Sequence, residues 1–291
     1  MKFYQSDFNS IPFGILSNFE RECFDLDIKE IVYPWDFVHS LGEQIKVDAK
    51  FLINNRVLKK QNDKIHNDNI IGSKDKILFF DDSPLIHNGV MFDTSEGEIV
   101  IDSDVIIYPF LFIKGPCYIG KNTIIKDARI YGGCYIGKVC KISGEMENCY
   151  IGNFSNKNHE SSLLHSFIGD WNNIAGYSKT ADLNIDYSNI SVSNGNSNID
   201  TGRIKFGCKT DDFVKIGGGV LIYPGTIFGF ASTILDLPVA KGFYPSFYNK
   251  HFQNNKHDLD KFIQEVEIIM SRRDKQVSSS LIEKFNKIYL E

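Results

Sequence analysis

The stretch of this chain richest in reactive groups is Ser155-Asn156-Lys157-Asn158-His159, where an imidazole, an ammonium and two side-chain amides fall within a few residues. An imidazole titrates near neutral pH. His159 therefore reads either as a proton acceptor or as a solvated, hydrogen-bonded side chain. Lys157 is either a ligand contact or an ordinary surface charge. His165 reads as structural, and Asn172-Asn173 either satisfy backbone groups at a turn or touch a ligand. The six cysteines, Cys23, Cys117, Cys134, Cys140, Cys149 and Cys208, form no Cys-x-x-Cys pair and no compact zinc spacing. They read as small buried apolar side chains in a reducing compartment, so no metal site is expected.

The elements that must carry these residues announce themselves by period. An aliphatic or aromatic residue recurs every six positions as Ile101, Ile107, Ile113, Ile119, Ile125 and Tyr131. The phase slips by one and resumes as Ile130, Ile136 and Ile142, then returns as Ile168, Ile174 and later Ile216, Ile222, Phe228, Ile234. A period of six suits neither a helix nor a plain alternating strand. It suits a triangular prism whose every flat face points one aliphatic residue inward, with coils stacked about 4.8 Å apart. The fold class expected is mainly β, a left-handed parallel β-helix of hexapeptide repeats. Glycine often follows the aliphatic, as in Ile119-Gly120, Ile136-Gly137 and Ile168-Gly169, and is expected to let the chain round the corner. Residues 153–165 and 177–212 are polar and read as loops or irregular coils leaving the prism.

Three regions follow: a small mixed region over 1–80, the β-helix over 81–245 and a helical region over 246–291. In the first, residues 35–41 predict a short helix after Pro34, and 59–76 a loop or exposed hairpin. In the last, Asp258 caps a helix with an apolar stripe of Leu259, Phe262, Ile263, Val266, Ile269 and Met270. Arg272 and Arg273 suit the negative end of its dipole, and a second helix begins near Ser279 or Ser280. These helices are expected to cover an end or side of the prism. The chain has 291 residues and a net charge of −5, which offers no general attraction for nucleic acid or an anionic membrane. No apolar run approaches the ~20 residues that span a bilayer, and Met1–Asp7 lacks the apolar core of a signal peptide. A cytoplasmic protein is expected.

At this point specific segments resemble a known family. They are Tyr33-Pro34-Trp35-Asp36 with Leu41-Gly42-Glu43, Gly115-Pro116-Cys117-Tyr118-Ile119-Gly120, Ser155–His159, His165-Ser166-Phe167-Ile168-Gly169-Asp170-Trp171, Tyr244–Phe247 and Ser271-Arg272-Arg273. Over residues 11–290 the chain resembles the sugar-nucleotide transferase family related to the bifunctional N-acetylglucosamine-1-phosphate uridylyltransferase/glucosamine-1-phosphate acetyltransferase. Relatives carry a Gly-rich phosphate loop in an N-terminal domain. Here the only early glycine is Gly14, as if only the tail of that domain remained.

The resemblance implies transfer of an acetyl group from acetyl-CoA to an amino sugar or sugar phosphate in a homotrimer, without metal, nucleic acid or membrane. His159 stands nine residues before Ile168-Gly169-Asp170, the family's position for the general base. Asn173, Asn184 and Tyr187, with Asp186, match substrate-binding positions. Lys157, Lys141 and Arg129 are expected to hold a phosphate, and Ala175, Gly176 and Gly217 to border acetyl-CoA. There are departures. Ser162 stands where the family has Tyr, Tyr177 stands where it has Gly, and Glu145 and Glu147 replace basic residues that would attract phosphate. Two other readings remain: a non-catalytic sugar-nucleotide-binding or scaffold β-helix, and a nucleotidyltransferase component that needs a partner chain.

Overall fold

The computed structural model describes residues 11–24, 26, 31–60, 65 and 67–290. Its centre is a parallel β-solenoid of about ten turns, flanked by helices before and after it. One face runs through Ile77–Phe79, Ile99–Ile101, Cys117–Ile119, Cys134–Ile136, Tyr150–Ile151, Phe167–Ile168, Cys208–Thr210, Thr226–Phe228 and Phe243–Tyr244. The second and third faces share one sheet, because Ile124–Tyr131 and Lys141–Glu147 bend from one face to the other without a break. Parallel pairing is already present at Ile70–Ile71, which pairs with Phe92–Asp93.

The six-residue rhythm fills the bore. Ile101, Ile119, Ile136, Ile151 and Ile168 stack coil on coil in the first face. Ile107, Ile125 and Ile142 do the same in the second. All are buried in one continuous core, and each such side chain contributes about 1.5–3 kcal/mol by leaving water.

The glycines do a different job from the one expected. A Cβ on Gly120 would lie 2.7 Å from the carbonyl carbon of Gly137, and one on Gly169 would lie 2.7 Å from Asp211. They permit close approach between coils. The left-handed turn falls two residues later, on Asn122, Val139, Phe154, Trp171 and Phe213, all with φ near +60°. A bulky residue there costs about 1–2 kcal/mol. Ring stacking offsets it: Phe154 and Trp171 lie 4.2 Å apart, and Phe213 continues the column.

The interruptions are also smaller than expected. Residues 153–165 keep two regular strands, Asn156–Lys157 and Ser162–Leu164, paired in register with Lys141–Glu147. Only the inward residue changes type, which hides the period. In the second stretch Lys179–Thr180 stays in the solenoid, and the chain leaves it until Cys208–Thr210. The excursion carries an antiparallel hairpin, Ser191–Ser193 with Asn198–Asp200.

The helix expected over 35–41 runs further, as α2, Pro34–Asn54, after a short α1, Asn18–Cys23. Pro34 suits the first turn. Phe37, Val38, Leu41, Ile45, Ala49 and Leu52 form its buried face. That face lies on an outward column of rings, Tyr118, Tyr135, Tyr150 and Phe167, spaced 4.7–4.9 Å. Gly14 shapes no phosphate loop: the amides of Ile15 and Leu16 donate to the Asp48 carboxylate, which also pairs with Arg21 at 2.6 Å. Lys59–Lys60 forms an antiparallel edge on Leu78–Phe79; residues 61–64 and 66 of the expected loop lie outside the described residues.

At the far end α3, Leu259–Ser271, and α4, Ser279–Leu290, follow as expected, with Asp258 capping α3 through Lys261 N. Phe262, Val266, Met270 and Phe285 bury against Phe213, Phe230 and Phe247. The helices thus cover a corner of the solenoid, and this places the C-terminus of α3 beside its second face. No helix among the described residues is long and apolar enough to cross a membrane.

Candidate functional site

On the second face, the residue before each inward isoleucine points outward. Register aligns Lys141, Asn156, Asn173 and Lys215 on successive coils as one column. The Asn156 amide donates to Asn173 Oδ1 at 2.7 Å. The end of α3 brings Ile269, Arg272 and Arg273 opposite this column, and the turn after Lys157 brings Asn158 and His159 to its edge. Phe154 and Trp171 supply an aromatic wall. The result is a cavity of about 460 Å³ in which no lining residue is acidic.

The charges in this cavity are incompletely paired. Lys215 bonds Glu265 on α3, and Glu265 also meets the buried His257 at 3.2 Å. That leaves Lys141, Arg272 and Arg273 facing one another. The Arg273 guanidinium foremost, then burial and Arg272, hold the Lys141 ammonium below its usual pKa. Arg273 Nε is buried and has no hydrogen-bond partner among the described residues. Converging like charges and an unsatisfied donor cost folding free energy. An anion seated among them would offset both.

Of the residues expected at a site, the structure brings His159, Lys141 and Asn173 together. Gly176 lies behind His159; a Cβ there would be 3.0 Å from the His159 Cβ. Gly218 and Gly219, next along the neighbouring coil, leave open backbone on that side, since a Cβ on Gly219 would meet nothing within 4 Å. Ala175 is in the same turn, while Gly217 packs toward Leu235. Tyr177 is 74% exposed, and its amide donates to Glu160 O.

Other expected residues lie elsewhere. Lys157 is not on a loop surface. It is 2% exposed and points into the bore, donating to Ser143 O and Ser161 O. Burial lowers its pKa to about 8. Arg129 sits on the third face and pairs with Glu160 at 3.3 Å. Asn184 and Tyr187 belong to the excursion: Asn184 ties Ser188 and Asn189, and Tyr187 is 69% exposed. Glu145 and Glu147 do not face the basic cavity. They line a second one of about 500 Å³, with Glu43, Glu96, Lys46 and Lys114.

His165 is buried at a corner, with Nδ1 2.8 Å from Asp182 Oδ2 and Nε2 3.2 Å from Asn148 Nδ2. Asn172 is also structural. Its amide donates to Gly169 O, Thr210 Oγ1 and Asp211 O, and its oxygen accepts from Val214 N. Among the described residues no His, Cys, Asp and Glu group is placed to hold a metal ion.

The site residues that sequence reasoning missed are Arg272, Arg273, Lys215 and the aromatic wall. In the sequence the two arginines suit the helix dipole and belong to a segment that resembles the family, but nothing there assigns them to a site. Aligning residues that precede inward isoleucines would have put Lys215 in a column with Lys141 and Asn173. No family model matches the chain, and no curated protein matches it. The fold and this cavity are therefore the grounds for a function.

Proposed function

We propose that the chain is an acyltransferase that moves an acyl group, acetyl from acetyl-CoA, to the amine of a sugar phosphate bound in the basic cavity. The observation that carries the reading is the meeting of Lys141, Arg272 and Arg273, with an unpartnered buried Nε, around a space beside His159. A cavity of about 460 Å³ suits one small ligand. Guanidinium and ammonium groups hold a phosphate by charge-assisted hydrogen bonds. The amides of Asn156, Asn158 and Asn173 suit sugar hydroxyls, and the Phe154–Trp171 wall suits the apolar side of a pyranose.

The chemistry assigned to His159 is proton transfer. It takes a proton from the substrate ammonium, so that the nitrogen lone pair attacks the thioester carbonyl. The new C–N bond forms and the C–S bond breaks; of the two protons the nitrogen loses, His159 passes one to the departing thiolate and the other goes to water. The open backbone at Gly176, Gly218 and Gly219 gives a thioester an approach free of side chains.

A second reading, binding without turnover, draws on one observation. No carboxylate among the described residues pairs with the His159 imidazole, so nothing fixes its tautomer. Calorimetry separates the readings from each other and from error. Glucosamine 1-phosphate is expected to bind at least tenfold more tightly than glucosamine, and acetyl-CoA to bind as well. Phosphate binding without acetyl-CoA binding supports the second reading. Equal affinity for the two sugars rules out both.

A further inference from the structure

One coil breaks the chemistry of the bore. The inward column of the second face is Ile107, Ile125, Ile142, then Lys157, then Ile174, Ile216 and Ile234. All seven are buried. Placing an ammonium where the neighbouring coils place isoleucine costs desolvation, and an isoleucine would fill the same position without it. The charge therefore serves something that isoleucine cannot.

Its contacts say what that is. Lys157 Nζ donates to Ser143 O on the preceding coil and to Ser161 O, 3.1 Å away, at the end of the turn that follows its own strand. A matching change sits at the corner. Gly144 has φ +76°, and a Cβ on it would lie 2.3 Å from Ser161 O and 3.0 Å from Lys157 Nζ. Lysine in the bore and glycine at the corner fit one another. The turn they grip is residues 158–161, which carries His159. Ser161 Oγ donates to His159 O at 3.1 Å, Glu145 N donates to Ser161 O, and Tyr177 N donates to Glu160 O.

We propose that Lys157 is a positioning residue: from inside the solenoid it ties the turn 158–161 to the preceding coil and so holds His159 at the edge of the basic cavity. This rests on the reading that His159 acts on a ligand in that cavity. Lys157 touches neither ligand nor reacting atoms; it acts through the backbone carbonyl of Ser161. The solenoid does not need it for filling, since Ile142 and Ile174 show what fills the bore.

The test uses the full chain with Lys157→Ile, which reproduces both neighbouring coils, and Lys157→Met, which keeps the length. Amide hydrogen exchange is measured without ligand. The Glu145 and Tyr177 amides, which donate to the turn at Ser161 O and Glu160 O, are expected to exchange at least tenfold faster, while the Ile142 and Ile174 amides exchange as in the parent. In parallel, the His159 Cε1–H resonance is followed as inorganic phosphate is added. It is expected to shift in the parent and not in the variants, with phosphate affinity within threefold because Lys141, Arg272 and Arg273 are untouched. Unchanged exchange at the two amides that bond the turn overturns the proposal. So does exchange that rises equally across the coil, or failure of both variants to fold, since either makes Lys157 a general structural residue. Faster exchange confined to those two amides, with no phosphate response in the parent itself, sinks the cavity reading and leaves the tie in place.

Discussion

Replacing Arg273 by methionine separates a binding site from a structural cluster of charges, because the two make opposite predictions. The methionine keeps an apolar stem at the cavity wall and removes the guanidinium. Arg273 is partly exposed at the cavity wall, with Nε buried and without a partner. A hydrogen bond to a charged group contributes about 1.5–3 kcal/mol. Water has access to the cavity, so the lower part of that range applies, and each ~1.4 kcal/mol is a factor of ten. Affinity for a sugar phosphate should fall by about 10- to 30-fold by calorimetry. Stability should move the other way or stay level. The variant relieves the repulsion that holds the Lys141 ammonium below its usual pKa, and it removes a buried unsatisfied donor. In a denaturant titration it should be at least as stable as the parent. Affinity within twofold of the parent refutes the phosphate assignment. A loss of more than about 2 kcal/mol of stability would show that Arg273 holds α3 in place through contacts made within the fold.

Three other outcomes follow from the packing and charges. Burial, then the neighbouring Asp212, raises the pKa of Asp170 from 3.8 to about 6. A raised carboxyl pKa favours the folded state at low pH, and that favour is lost as pH rises through the folded value. Denaturant titrations of Asp170→Asn should match the parent near pH 4 and exceed it at pH 7 by about 1–2 kcal/mol, discounted for partial exposure; a variant less stable at pH 7 contradicts this. Phe37→Ala removes the ring of α2 that meets both Tyr150 and Phe167 edge-on at 5.3 Å; it should cost about 3–5 kcal/mol, and a cost below 1 kcal/mol would mean α2 is not seated on the tyrosine column. Gly133→Ala demands φ +63° of a residue whose Cβ would lie 2.0 Å from Asn148 Oδ1, so its melting temperature should fall sharply, and an unchanged melting curve refutes the close approach of those coils.

The bore was legible because isoleucine at a fixed interval leaves a periodic trace, and that trace alone predicts stacked coils. Where it faded, the chain had kept its geometry and changed its chemistry. Lys157 and Leu163 occupy inward positions of a regular coil, yet lysine in a polar stretch reads as a loop. The corners misled for a related reason. Glycine after isoleucine suggested a turn, whereas the turn falls on Phe154, Trp171 and Phe213, whose left-handed φ is offset by ring stacking and, at Trp171 and Phe213, by packing against helices from the far end of the sequence. The site was half legible. His159, Lys141 and Asn173 belong to consecutive coils, so spacing relates them. Arg272 and Arg273 reach them only because α3 folds back on the solenoid, and no local pattern encodes that. Asn184 and Tyr187 were aligned by resemblance across an excursion whose path differs from a plain coil, whereas Arg129 sits on a regular strand but on the third face, where it pairs with Glu160.

The central claim is that His159 moves a proton while a sugar phosphate sits among Lys141, Arg272 and Arg273. Mass spectrometry of a reaction holding the protein, acetyl-CoA and glucosamine 1-phosphate addresses it directly. The account predicts an N-acetylated sugar phosphate from the parent, and at least a ~100-fold slower rate with His159→Asn, the scale of lost general-base catalysis. No acetylated product from the parent, or equal rates from parent and His159→Asn, would contradict it.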